Sequence, residues 1–584
     1  MNRTRTNGEL RIEDVGEVVT LCGWVNKRRN FGQLVFIDLR DRYGMIQLVF
    51  DEAMSKEILE VRNEYVLEVT GEVVERQDKN PKMATGDIEI AVQSVKILNK
   101  AKTTPLIIAD ETDALEDTRL AYRYLDLRRP VLQKNLMLRH QVCMIARNYL
   151  SRLEFIEVET PMLCRSTPEG ARDYLVPSRV CKGSFYALPQ SPQLYKQLLM
   201  VAGLDRYFQF ARCFRDEDLR SDRQPEFTQI DIEMSFVEEE DIWNVIEGLM
   251  KEIFKTLKGV DLPDFVRIPY DTCMERYGSD KPDLRFDLPM QDVSSLFEHT
   301  EFMIFQNILK ANGKIYALPI KGYGDRFSRK MIDKLQDHVK KYGAKALSYL
   351  KFVGGSISGS IAKALSEAEM NLIQNTFDLK DNDIIFFIAD KKKTAQTALG
   401  ALRSKLGHDL KLIHEDEYQF LWVTDFPMFE YDEAEDRYVA AHHPFTAPNE
   451  ADVDKLLNDP EHCYSRAYDL VLNGYELLSG SIRIHDQSLQ AKVFEAIGMS
   501  EEEANEKFSW FKDAFTYGAP PHGGAAIGLE RLVMILAGTE NIRDVVAFPK
   551  TASASDLMSK APSTVAHSQL DDLGIEIKKE DHND

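Results

Sequence analysis

Residues 205–236 restrict the possible folds of this chain more than any other stretch. They read as two strands joined by a loop too long and too charged for a tight turn. With a side-chain period of two, Phe208, Phe210 and Phe214 share one face of the first strand, and Gln209, Ala211, Cys213 and Arg215 the other. On the second strand, Thr228, Ile230, Ile232, Met234 and Phe236 share one face, and Phe227, Gln229, Asp231 and Glu233 the opposite one. Such a hairpin buries its apolar face and displays a cation, a ring, an amide and two carboxylates. Its loop carries Asp216, Glu217, Asp218, Arg220, Asp222 and Arg223, and long loops on rigid strands often hold binding groups. For the hairpin alone, the alternative is an exposed sheet face with a solvated loop.

A second stretch weighs against that alternative. Residues 520–536 read as a Gly-rich strand running into an apolar helix, with Gly528 at the junction and Arg531 in the first turn. A helix N-terminus beside an arginine suits an anion. No Gly-Lys-Ser/Thr follows, so this is not a Walker A loop. Phe214-Arg215-Asp216-Glu217 closing a strand and Gly528-Leu529-Glu530-Arg531 opening a helix resemble motifs 2 and 3 of the class II aminoacyl-tRNA synthetases. Residues 167–174 (TPEGARDY), 190–197 (QSPQLYKQ), 223–231 (RQPEFTQID) and 481–485 (SIRIH) resemble aspartyl-tRNA synthetase of the bacterial type. The resemblance covers nearly the whole chain.

Charge alone points elsewhere. A net −22 over 584 residues argues against a nucleic-acid partner. The distribution softens this, because residues 1–50 carry 8 basic against 6 acidic side chains and residues 119–139 carry six basic against Asp126. Seven cysteines (Cys22, Cys143, Cys164, Cys181, Cys213, Cys273, Cys463) contain no CxxC pair, which argues against a disulfide framework or a zinc site and for a reducing cytoplasm. No apolar run approaches the ~20 residues that span a bilayer, and the first residues lack the apolar core of a signal peptide. No membrane partner is expected.

The fold class expected is α+β and multidomain. Residues 1–103 hold five strand candidates (18–25, 34–39, 46–50, 65–74, 88–92) with a short helix at 53–64, the pattern of an OB-fold β-barrel. Its face combines Arg28, Arg29, Phe36 and Gln47, a set suited to single-stranded RNA, although Phe36 could equally be core. Residues 104–130 form a basic linker. Residues 131–284 open the catalytic domain, with a helix at 131–153 leading into Phe155–Pro161, which resembles motif 1, the class II dimer element. Residues 285–415 resemble the large α+β insertion of the bacterial enzymes. Residues 416–561 complete the antiparallel-sheet catalytic domain, and 562–584 form a polar extension expected to pack loosely.

The resemblance implies the roles. Activation joins a carboxylate to the α-phosphate of ATP and releases pyrophosphate, so cations and Mg²⁺ are needed where charge concentrates. Arg215 falls on the α-phosphate and attacking carboxylate, Arg531 on the γ-phosphate, Phe227 on adenine, and Glu217 near adenine or the tRNA end. Gln224, Gly528 and Glu530 complete the ATP site, and Asp469 and Glu476 are oxygen ligands suited to Mg²⁺. Aspartate brings a side-chain carboxylate, for which Lys196 and Arg483 are the cations. Asp231 and Gln193 take the α-ammonium, with Glu169, Ser191 and Gln229 beside them. His442 adds a positive group, and His443 then faces away. Asparagine would leave two buried cations unpaired, a penalty of roughly 10³-fold or more. For tRNA, Arg28, Arg29, Phe36 and Gln47 hold the anticodon, and Arg220 and Arg223 are further tRNA contacts. Partners implied are ATP, Mg²⁺, L-aspartate, tRNA(Asp) and a second copy in a homodimer. Charging of tRNA(Asn) stays open, because Phe31 stands where related enzymes differ with tRNA breadth.

Three further positions depart from the family pattern: Glu154 stands for Gly, Glu530 for Asp, and Leu478-Ser479 for a Gly-rich run. A lysyl enzyme would need acids in place of Lys196 and Arg483. An asparaginyl enzyme shares the plan without the large insertion. A non-catalytic tRNA-binding paralogue is the reading from another class, and the joint presence of Arg215, Arg531, Asp469, Glu476 and Arg483 opposes it.

Overall fold

Apolar side chains at every second position of the first hundred residues close a barrel. A computed structural model describes residues 3–32, 34–56, 58–167, 170–219 and 222–578. In it the strands Val18–Phe31, Leu34–Arg40, Met45–Phe50, Val66–Glu75 and Ile88–Asn99 form a closed five-stranded barrel. Leu21, Val25, Ile37, Leu39, Leu48, Phe50, Leu67 and Ile90 point inward and are fully buried. The helix expected at 53–64 shrinks to Glu52–Ser55. Phe36 is not core: Val35 and Ile37 on either side of it are buried, whereas Phe36 faces out and is half-buried.

Contact boundaries divide the chain differently from its sequence domains. One compact unit comprises Met1–Gln141, Asp218–Pro225 and Val533–Gln569; the other comprises Val142–Glu217, Glu226–Leu532 and Leu570–Asp584. Three of the five boundaries cut through helices, Pro130–Arg152, Leu529–Ala537 and His567–Leu573. From 562 to 578 the chain is exposed almost throughout.

The arginines of the basic linker in the first unit are turned to the chain's own oxygens. Asp126, fully buried, accepts hydrogen bonds from Arg119 Nε (3.2 Å), Arg123 Nη1 (2.7 Å) and Arg129 Nη1 (2.9 Å). Arg123 also donates to the carbonyls of Arg543, Val546 and Ala547, and Arg129 to those of Ala109 and Asp110. Arg128 pairs with Glu64 at 2.8 Å and lies over the Trp24 ring. These four arginines bind the chain's own oxygens. Burial alone would raise the Asp126 carboxyl, but hydrogen bonds from Arg129 and Arg119 and the surrounding arginine charges hold it below the usual range. A depressed carboxyl contributes fully above its unfolded-state pKa and loses that contribution only as pH falls through the folded value. Asp126→Asn is therefore expected to cost about 3 kcal/mol, the scale for breaking a buried pair. Urea unfolding should show the same loss at pH 8 and pH 5, and a loss that fades at pH 5 would contradict this account.

The second unit carries an eight-stranded sheet in the order Val266–Pro269, Phe420–Thr424, Ala467–Leu472, Tyr475–Ile482, His522–Gly528, Glu226–Ser235, Arg206–Phe214, Ile156–Glu157. Its end pairs are parallel and its interior antiparallel. The helix Glu239–Lys258 buries Ile242, Trp243, Ile246, Leu249 and Ile253 and ends on Gly259 in the left-handed region. The Gly-rich run has a steric cause, since a Cβ on Gly524 would lie 2.1 Å from Glu233 Oε2 and from the Ile232 carbonyl. Phe236 departs from its expected face: the strand stops at Ser235, and Phe236, at φ +58, is 72 % exposed. Glu154 sits at φ +64, a conformation that suits the family's glycine and costs another residue ~1 kcal/mol.

Residues 291–390 build a separate antiparallel sheet, Gln291–Asp292, Lys314–Ile320, Asp383–Asp390, Ser348–Val353, Ser356–Ser358. Its central strand serves two cores. Ile384, Phe386 and Ile388 enter one, beneath the helices Arg329–Lys340 and Lys392–Asp409, while Ile385 and Phe387 enter the other.

Candidate active site

The central hairpin takes the predicted register. Phe227, Gln229, Asp231 and Glu233 stand opposite Cys213, Ala211, Gln209 and Tyr207 on one strand, and the last three stand opposite Gly528, Ala526 and Gly524 on the other. Its polar face is not displayed as expected, because Asp231 and Glu233 are both 0 % exposed. Lys196, on the helix Gln193–Val201, donates to Asp231 Oδ1 at 2.6 Å and lies 3.3 Å from Glu233 Oε2. Arg483 grips Glu233 through Nε (3.0 Å) and Nη2 (3.2 Å), and its Nη1 reaches Ser481 Oγ (2.5 Å) and His443 Nε2 (3.0 Å).

Two cations thus meet two carboxylates, which corrects the simple two-cation pocket. Asparagine would not leave Lys196 and Arg483 bare, since Asp231 and Glu233 already neutralise them. Burial raises the Asp231 carboxyl despite Lys196. Glu233 is pushed up by burial too, yet Arg483 and Lys196 outweigh that and hold it low. The alternating pattern assigns Glu233 no role, and the sequence favours His442 over His443. His443 is the histidine on Arg483, kept neutral by burial and by the charges of Arg483, His442 and Lys196. His442 faces the other way, 3.8 Å from Asp469. Burial would lower it, but Asp469 and Glu476 hold it above its ordinary value.

Asp469 and Glu476 come from adjacent strands, with a bulge at Leu470/Val471 between them. Glu476 is raised by burial and then by Asp469, against Arg531 and Lys281. Arg531, in the first turn after Gly528, donates to the Glu476 carbonyl. Arg215 extends past the strand end, its guanidinium 5.1 Å from the Phe227 ring centre. Glu217 follows it, half-buried, and Gln229 accepts from Cys213 Sγ at 3.3 Å. Ser191 Oγ accepts from the Gln193 amide. Gln190, which the sequence reading gave no role, clamps Ala171 through both its amide ends and reaches Asp173 (2.6 Å).

Four buried polar atoms here have no hydrogen-bond partner, although Asp469 Oδ1 lies within ion-pair distance of His442: Gln193 Nε2, Asp231 Oδ2, His442 Nδ1 and Asp469 Oδ1. Buried polar groups are rarely left so, and a cluster of them marks a ligand's place. Other expected residues are otherwise engaged. Both Glu530 oxygens accept from the Thr228 amide (3.1 and 3.0 Å), and the Gln224 amide exchanges hydrogen bonds with the Lys550 backbone inside the first unit. Arg223 is exposed there. Glu169 and Arg220 lie outside the described residues.

On the barrel, Arg29 is paired with Phe36, and Asp38 with Gln47, so all four share one outer face. Arg29 donates to Asp38 (2.6 Å) and Gln47 (3.0 Å), and Gln47 donates to Glu89 (2.6 Å) and accepts from Arg76 (3.1 Å). Asp38, Arg76 and Glu89 were not foreseen. Arg28 is opposite the core residue Ile37 and is spent on the carbonyls of Leu59 and Val61.

Comparisons place this geometry among known proteins. Residues 115–552 match the family described as tRNA synthetases class II (D, K and N), and residues 19–98 match the OB-fold nucleic acid binding domain. The chain is 54% identical over 582 residues to the Aspartate--tRNA(Asp/Asn) ligase of Bacillus cereus (strain AH187), covering 98% of each, and equally so to that of Bacillus anthracis (strain CDC 684 / NRRL 3495). Among solved structures, a putative aspartyl-tRNA synthetase from Leishmania major Friedlin superposes with a TM-score of 0.58 at 21% identity, covering 94% of this chain and 93% of that one. The asparaginyl-tRNA synthetase from Pyrococcus horikoshii, complexed with asparaginyl-adenylate, superposes at 0.57 and 19%, covering 93% and 97%. At these identities the two structures share the fold.

Proposed function

The chain belongs to the class II tRNA synthetases of the D, K and N group, and from that premise we propose that it is an aspartate–tRNA ligase that charges tRNA(Asp) and tRNA(Asn). The buried Lys196–Asp231–Glu233–Arg483 array, with partnerless polar atoms beside it, carries this reading. An α-carboxylate oxygen of aspartate attacks the α-phosphorus of ATP, the bond to the β-phosphate oxygen breaks, and pyrophosphate leaves. Arg215 meets the charge that develops, Arg531 the far end of the triphosphate, and Phe227 the adenine face. Asp231 Oδ2 and Gln193 position the α-ammonium, and no side-chain nucleophile is needed because positioning supplies the rate. The side-chain carboxylate goes to the Lys196 and Arg483 end of the array, and His442, on the Asp469 side, adds a positive group when it carries a proton. A ribose hydroxyl at the tRNA end then attacks the aspartyl carbonyl and AMP leaves.

Asp469 and Glu476 suit Mg²⁺. One buried Asp469 oxygen lacks a hydrogen-bond partner, and the described residues hold no cluster of three or more metal-ligating side chains. Two carboxylates with phosphate and water oxygens are the usual Mg²⁺ set, and the ion would neutralise phosphate charge. Met144, Ile156, Met162 and Leu163, in and after the motif 1-like helix, are exposed apolar groups that a second copy would cover. All seven cysteines are free, in keeping with the cytoplasm, and no helix among the described residues is long and apolar enough to cross a membrane.

Amino-acid-dependent ATP–pyrophosphate exchange tests the proposal. Exchange with aspartate but not asparagine or lysine is the expected result, followed by charging of both tRNAs. Absence of exchange with aspartate would overturn it, and charging of tRNA(Asp) alone would remove the tRNA(Asn) part. Phe36→Ala should lower charging roughly 5- to 150-fold by losing a stacking contact worth about 1–3 kcal/mol, with adenylate formation unchanged. A comparable loss in both assays would rule out an anticodon role.

A further inference from the structure

The following rests on the reading above that Lys196 and Arg483 take the side chain of aspartate. The two cations reach the buried acids from different elements. Lys196 belongs to the helix Gln193–Val201, and Arg483 follows the strand Tyr475–Ile482. Two long side chains keep a fixed separation only if the backbones that carry them are tied together. One residue ties both. His522 opens the strand His522–Gly528 and is 0 % exposed. Its carbonyl accepts from the Arg483 amide at 2.9 Å. Its ring meets the helix of Lys196, with Nε2 2.9 Å from Gln197 Oε1, while Nδ1 lies 2.7 Å from the Pro520 carbonyl.

Gln197 is fully buried as well, and its Nε2 donates back to the Gln193 carbonyl at 3.4 Å. The Phe515 ring stands 5.9 Å from the imidazole. A buried ring held at both nitrogens cannot turn without giving up a hydrogen bond. Such a histidine can be no more than satisfied core polarity. Here, however, its partners adjoin the two substrate cations: Gln197 follows Lys196 in the chain, and the Arg483 amide belongs to the second cation itself. The ATP groups lie away from it. His522 stands opposite Ser235, whereas Phe227 lies at the other end of that neighbouring strand, and Arg531 follows the far end of the strand that His522 opens.

We propose that His522 is a positioning residue for aspartate: with its carbonyl on the Arg483 amide and its ring on Gln197, it sets the gap between Arg483 and Lys196 that receives the substrate's side-chain carboxylate. It acts through these two cations and not on the reacting atoms. The carbonyl bond is backbone and survives substitution, so a variant releases only the helix of Lys196. Aspartate binding then weakens, and ATP binding does not.

ATP–pyrophosphate exchange and thermal melting of the full chain test this, with His522→Phe, His522→Gln, Gln197→Met and the double variant His522→Phe/Gln197→Met. His522→Phe should raise KM for aspartate about tenfold while KM for ATP stays within about twofold. Gln197→Met should match it, and the double variant should add little to either single one, since all three remove the same bond. His522→Gln, which still reaches Gln197, should regain most of the affinity for aspartate. Each single loss leaves a buried polar group without its partner and should lower the melting temperature. The double variant removes both groups and should melt closer to wild type, with KM for aspartate still high. Equal rises in both KM values would overturn the positioning role, as would an aspartate KM that returns to wild type together with the melting temperature in the double variant. A wild-type chain inert with aspartate would overturn the activation reading itself, before any variant is compared.

Discussion

Arg215→Ala is expected to lower aspartate activation by about 10³-fold while leaving tRNA binding close to wild type. The guanidinium leaves the end of the strand Arg206–Phe214 beside the Phe227 ring. Nothing else on that strand supplies a cation where the carboxylate meets phosphorus. Removing a preorganised group that acts on developing charge typically costs about 10²–10³-fold, and a full positive charge belongs at the upper end. The proposed anticodon face (Arg29, Phe36, Gln47) belongs to the barrel, so RNA affinity has no reason to follow. Pyrophosphate exchange and filter binding on the same preparation decide the matter, since a parallel loss in both would place Arg215 in a general structural role.

Arg483→Met should be both inactive and fragile. Its side chain, 3% exposed, spends Nε and Nη2 on Glu233 and Nη1 on Ser481. Without it, Glu233 keeps only Lys196, which Asp231 already claims. Breaking a buried pair from one side costs about 3–5 kcal/mol, largely for the charge left behind. The double variant Arg483→Met/Glu233→Gln removes that charge and should regain most of the lost melting temperature without regaining activation. Recovery of exchange in the double variant would reduce Arg483 to a scaffold residue.

Much of this was legible in the residues. The period-two patterns located the barrel strands and the central hairpin with its face assignment, because alternation survives whatever packs above it. The resemblance drew attention to Lys196, Asp231, Arg483, Asp469 and Glu476, and the fold gathers them. Burial escaped the pattern: alternating polar residues signal exposure only if nothing covers them, and here Lys196 and Arg483 arrive from distant segments to cover Asp231 and Glu233. The linker misled for the same reason. Six basic residues in a row of helices look like a surface charge run until Asp126, Glu64 and a series of carbonyls are found to hold four of them. Glu530 and Gln224 carry acid and amide chemistry that the sequence offers to a ligand and the fold spends on backbone.

The pairing of Glu233 with Arg483 spans 250 residues of chain. A ribosome making this protein therefore releases the central hairpin, with Lys196 already made, long before Arg483 exists, and the neighbouring strand His522–Gly528 comes later still. Until then Asp231 and Glu233 share one cation, and the sheet has an unpaired edge beside them. Contacts of such long sequence separation close slowly and leave partly built states prone to association. Chains interrupted before residue 483 should thus be poor substrates for refolding and good ones for proteolysis, so that quality control at the end of synthesis acts on the same residues as catalysis.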